Sequence, residues 1–88
     1  MNNAADTTDI MTAISEVAAH SPVGCARLAD VRNYLGWSKE VFEADVLAAN
    51  NKGLIVLFPD DDRASLTKAD HESAVTLAVT PMHLAYLA

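Results

Sequence analysis

Few residues in this 88-residue chain could do chemistry: Cys25, the histidines His20, His71 and His83, and the acidic run Asp60-Asp61-Asp62. Adjacent carboxylates suit a hard cation. A calcium loop, however, needs a glycine at its sharp turn and a distal glutamate, and neither sits at the required spacing. A solvated turn is the better reading of such a run. His71 and His83 could meet near Asp70 or Glu72. Structural zinc sites draw four Cys or His ligands from paired spacings, which one cysteine and three histidines here do not form. His71 is expected to face water on a short helix, and His83 the solvent side of the last strand. Cys25 has no evident histidine partner or adjacent charge to activate it, so it reads as a small, partly buried side chain. There is no nucleophile–base pair and no glycine-rich phosphate loop. A chain this short is also expected to enclose little pocket. The residues therefore predict a non-enzyme with no metal and no cofactor.

Composition narrows the field further. The hydrophobic fraction is 51%, with three Gly and three Pro, which predicts one packed domain over 8–88 behind a frayed start at 1–7. A single cysteine excludes an internal disulfide and fits a reducing, cytoplasmic setting. The first residues lack the basic start and apolar run of a signal peptide. No apolar stretch approaches the roughly 20 residues that span a bilayer. Six Lys/Arg against twelve Asp/Glu give a net charge of −6. Binding to phosphates is driven largely by basic side chains, so this balance weighs against nucleic acid unless a local patch supplies the charge.

The elements that would position these residues can be read from periodicity and punctuation. Ile10, Ile14, Val17 and Ala18 recur at helical spacing, which predicts a helix from Thr8 to His20, capped by Thr7 or Asp6 and ended by Ser21-Pro22. Val23-Gly24 is the candidate first strand. A second helix is expected over 26–35, with Leu28, Val31 and Leu35 inward and Arg27, Asp30, Arg32 and Asn33 in water. Gly36 stops it. Ser38 caps a third helix, and Trp37 and Phe42 occupy the two positions of a hydrophobic staple. Phe42, Val46 and Ala49 continue the core, and Gly53 ends the helix. Residues 54–58 are apolar between Gly53 and Pro59, which predicts a buried strand. Thr67 and Asp70 resemble a capping box for a short helix near Lys68. Residues 82–87 are expected to pair antiparallel with 54–58, with Pro81 at the strand start. The pattern leaves open whether 75–79 is a separate strand.

This order, carried by Leu28, Val31, Leu35, the turn Gly36-Trp37-Ser38, then Phe42, Val46, Ala49 and the run Gly53-Leu54-Ile55-Val56-Leu57, resembles the winged helix-turn-helix superfamily over about residues 8–87. The resemblance implies an α+β fold: a three-helix core, a small antiparallel sheet, and here an extra short helix in the wing region. About 23 residues separate the two main strands, more than an ordinary wing. The resemblance also implies that the third helix enters a DNA groove, where bases are read mostly by Arg, Lys, Asn and Gln.

Stepping about 100° per residue from Phe42 places Glu40, Ala44, Leu47, Ala48 and Asn51 on the outward face of the third helix, with Glu43 at its edge. Only Asn51 suits a base. Ala44, Leu47 and Ala48 form an apolar strip with an acidic rim, the composition of a protein contact. The sequence thus favours a small acidic binding module, a protein-interaction or regulatory adaptor, using Glu40, Ala44, Leu47, Ala48 and Asn51. The alternative is a dimeric DNA-binding transcriptional regulator using Arg27, Arg32, Asn33, Lys39, Asn51 and Arg63, with phosphates held around the turn between helices two and three. Self-association is compatible with both.

Overall fold

The computed structural model describes residues 7–88, apart from the Arg63 side chain. Its architecture is α+β, with four α-helices and a small antiparallel sheet. The first helix, α1 (Thr8–Ala19), buries Ile10, Ala13 and Ile14. Thr7 holds the N-cap position without a side-chain cap bond, contrary to expectation, and Asp6 lies outside the described residues. At the other end the His20 ring Nδ1 donates to the Glu16 carbonyl at 2.9 Å, satisfying one of the last-turn acceptors.

The first strand is not at Val23-Gly24. Those residues lie in a turn, where Gly24 takes φ +76°. The strand is β1 (Ala26–Arg27), and α2 (Leu28–Leu35) starts directly after it. Ala26 pairs with Ala85, and both are fully buried, so a small-on-small contact fixes where the chain joins the sheet. Leu28 and Val31 of α2 face the core, and Gly36 closes the helix at φ +70° with its N–H on the Arg32 carbonyl.

The third helix, α3 (Lys39–Asn51), starts where Ser38 Oγ accepts the Val41 N–H at 3.3 Å. Phe42, Val46 and Ala49 are completely buried, and Trp37 packs half-buried against the same core. Gly53 ends this region at φ +73°. Strand β2 (Ile55–Phe58) follows. It alternates instead of being wholly buried: Ile55 and Leu57 face inward, Val56 and Phe58 are half-exposed. No helix among the described residues is long and apolar enough to cross a membrane.

Residues 59–83 make the long excursion between the main strands. A single 3-10 turn (Arg63–Ser65) leads to α4 (Lys68–Ser73), which opens on a reciprocal capping box. The Asp70 N–H donates to Thr67 Oγ1 at 3.1 Å, and the Thr67 N–H donates to Asp70 Oδ2 at 2.9 Å. A hairpin then forms from β3 (Val75–Leu77) and β4 (Thr80–Met82), so residues 75–77 are a strand and pair within the excursion. Pro81 sits inside β4 and not at the start of the last strand. It faces Thr76 next to the turn-closing pair Leu77–Thr80. Alternation of bonded and non-bonded pairs then leaves its nitrogen out of the ladder.

Strand β5 (Leu84–Leu87) returns between β1 and β2, giving the order β1-β5-β2. It pairs antiparallel with β2 from Phe58–Leu84 to Ile55–Leu87, as expected for that part of the tail. Its faces are the reverse of the expectation. His83 and Ala85 are buried, at 2% and 0% exposure, while Tyr86 is 42% exposed. The hairpin breaks the alternation at Met82, and one residue of phase moves every later side chain to the other face. Tyr86 instead packs against Phe58, with ring centroids 5.6 Å apart.

Candidate functional site

Arg27 is not a solvated residue of α2. It lies in β1, where its backbone is paired and its side chain points to the excursion. Its Nε and Nη2 donate to the two oxygens of Asp70, each at 3.2 Å, and Nη2 also reaches Asp60 at 2.9 Å. This forked geometry matches a planar guanidinium to a carboxylate. Asp60 is therefore not part of a freely solvated acidic turn; only 14% of its side chain is exposed. The same residue donates its backbone N–H to His83 Nδ1 at 3.1 Å, which assigns the acceptor role to that nitrogen. His83 is thus a buried structural partner, contrary to its expected place in water. His71 is exposed, and its ring lies 6.4 Å from that of His83. No group of three or more His, Cys, Asp or Glu among the described residues could hold a metal ion.

The electrostatics follow from this clamp. Burial raises the Asp70 pKa, but hydrogen bonds from Arg27 and Thr67 outweigh it and hold the carboxyl below its ordinary 3.8. The Asp62 backbone N–H and then Arg27 lower Asp60 in the same direction. Arg27 is pushed up, chiefly by its hydrogen bonds to Asp70. For carboxylates lowered in the folded state, the stabilisation is complete above the ordinary value and is lost as pH falls below it. Urea midpoints of the wild type should therefore drop steeply below about pH 4. The Asp70→Asn variant, measured in parallel, should lose part of that drop; an identical acid limb in both would remove the clamp as its cause.

The other basic positions are also engaged. Arg32 Nε donates to the Trp37 carbonyl at 3.1 Å, bracing the turn before α3. Lys39 Nζ donates to the Ala74 carbonyl at 3.2 Å, tying the start of α3 to the end of α4. Asn33 and Asn51 are exposed, and the Arg63 side chain lies outside the described residues. Among the described side chains, Arg27, Arg32 and Lys39 each hold a different part of the chain together.

The proposed contact face of α3 is only partly as expected. Glu40, Ala44 and Asn51 are exposed, but Ala48 is half-buried and Leu47 packs against the core. The helix contacts α1 and β2 on one hand and α4 and β3 on the other, so its buried sector is wider than a single direction through Phe42 implies. The exposed large apolar residue of the helix is instead Val41, on the other side of Phe42, at 49% exposure.

A feature absent from the sequence reading lies on another face. A groove of about 750 Å³ runs between the end of α1, the turn at 21–25, β1 and α2. Half-buried Val17, Cys25 and Leu84 line it, with exposed Val23 and Tyr34 beside them. The carboxylate-bearing residues Glu16 and Asp30 complete its border. The only local hint was a pair of large apolar residues, Val23 and Tyr34, outside every helical core stripe. Compared with family models, curated proteins and solved structures, the chain matches none.

Proposed function

We propose that this chain is a winged-helix-type module whose role is to bind a protein partner and not to read DNA. The element order helix, strand, helix, helix, strand and returning strand, with the last strand central in β1-β5-β2, supports the fold reading. The observation that carries the function is the internal engagement of Arg27, Arg32 and Lys39, the best cations near the helix that would enter a groove. The Arg27 charge is matched by Asp60 and Asp70, Arg32 and Lys39 are each held by a backbone carbonyl, and α3 presents Glu40, Val41, Ala44 and Asn51 outward. Large apolar side chains remain in water, Val23 at 77% and Tyr34 at 56% exposure. Apolar anchors beside charged rims suit a protein contact. The reading is of a non-enzymatic module.

An amide-shift titration of the labelled protein with a mixed-sequence DNA duplex tests this, first at low and then at physiological salt. The expected spectrum is unchanged at both. Salt-sensitive shifts clustered on Arg27, Arg32 and Lys39 would overturn the proposal in favour of a DNA binder.

A further inference from the structure

We infer that the groove beside α1, β1 and α2 receives a segment of the partner protein that sets an apolar side chain between lysine or arginine residues. This rests on the protein-binding reading and adds where the partner docks and what it looks like. The floor is apolar: Val17, Cys25 and Leu84 are each half-buried and leave surface that another apolar side chain can cover. The charged border residues without an ion pair are both acidic, and the one histidine of the wall, His20, is bonded through Nδ1 to the Glu16 carbonyl. Glu16 and Asp30 are exposed, and neither carboxylate has an ion-pair partner among the described residues. The one arginine in the wall, Arg27, is already matched by Asp60 and Asp70.

The formal charge around the groove is therefore net negative, in a chain whose net charge is −6. That balance selects among occupants. A second copy would bring another acidic surface against Glu16 and Asp30, and nucleic acid would bring phosphates; both are repelled. A basic segment is attracted. Exposed residues, Glu16, Val23, Asp30 and Tyr34, make up much of the groove's border, whereas small-molecule pockets bury most of their ligand. Its volume of about 750 Å³ accepts side chains from an extended or helical segment. Tyr34, 56% exposed at the border, offers a ring face on which a guanidinium can stack.

The test is an amide-shift titration of the full chain with a short peptide of alternating leucine and lysine. A matching leucine–glutamate peptide is the control. The lysine peptide should shift Val17, Cys25, Tyr34 and Leu84 saturably, and the glutamate peptide should leave them in place. The double variant Glu16→Lys with Asp30→Lys should weaken the lysine peptide about tenfold, since two exposed attractions become repulsions. Both positions are exposed, so the fold should be kept. If that variant unfolds, Glu16→Gln with Asp30→Asn should still weaken binding severalfold. Equal binding of both peptides, or unaltered binding to the neutral variant, would overturn the charge argument. Absence of shifts in the groove would overturn the site. Shifts confined to Val41 and Ala44 would overturn the groove while leaving a protein-binding module intact. Salt-sensitive DNA shifts in the earlier titration would remove the underlying reading itself.

Discussion

Replacing Asp70 by alanine should lower the stability of the fold by about 2–3 kcal/mol. Two losses combine. The first is the capping box: without the carboxylate, the Thr67 N–H at the start of α4 has no acceptor, a defect worth about 1 kcal/mol. The second is the pair of charge-assisted bonds from Arg27. Removing one member of a fully buried ion pair costs about 3–5 kcal/mol because the other charge is stranded. Asp70 is only 5% exposed, but the Arg27 side chain is 36% exposed and keeps Asp60, so it is not stranded and the total stays below that sum. Asp70→Asn separates the two effects. The amide oxygen can still accept from Thr67, so about half the loss should remain. Urea unfolding followed by far-UV circular dichroism would measure both variants. A loss below about 0.5 kcal/mol for Asp70→Ala would mean that the clamp contributes nothing net, as for many surface pairs.

The opposite effect is expected at the tip of the β3–β4 hairpin. Ala78 and Val79 both have positive φ, 51° and 61°. A two-residue hairpin turn of this hand needs positive φ at both central positions, which is why Asn-Gly is preferred there. For an ordinary L residue the left-handed region costs roughly 1–2 kcal/mol, and a β-branched residue there is a genuine outlier. Val79 is also 94% exposed, so it has almost no packing to lose. Changing Ala78→Asn together with Val79→Gly should stabilise the protein by about 1.5 kcal/mol, after allowing for glycine's greater freedom in the unfolded chain. In a domain of this size that is a rise of roughly 6–12 °C in Tm. Differential scanning calorimetry would show it. An unchanged or lower Tm would indicate that the hairpin is not held in this turn.

How far the sequence discloses this molecule depends on how local each signal is. Gly36, Ser38, Gly53 and the Thr67–Asp70 box act within a few residues, and the helix ends they imply are found where expected. The three helical core stripes also needed only periodicity. Strand β1 was misplaced because a two-residue strand has no period of its own. Its position is fixed by Ala85, distant in the chain. Arg27 looked like a solvated helix residue because Asp60 and Asp70 lie 33 and 43 positions away. Leu47 departs from the expectation because a wheel drawn from one buried residue assumes one narrow covered sector, and α3 meets α1, β2, α4 and β3. His83 lies inside and not in water because the preceding β3–β4 hairpin interrupts the alternation from which its face is read. The groove has no signature in the sequence: its walls come from α1, β1, α2 and β5, and no contiguous motif marks it.

The Arg27–Asp70 clamp also bears on the order of events in folding. It joins the first strand to the fourth helix across 43 positions. Closing so long a loop is entropically costly before other contacts have drawn its ends together, whereas α1 and α2 meet over a short span. The clamp should therefore lock after the rate-limiting step. Its removal would leave the refolding rate nearly unchanged and appear as faster unfolding. In that sense Asp70 acts as a latch: it sets how long the assembled protein stays shut, and hardly how quickly it is made.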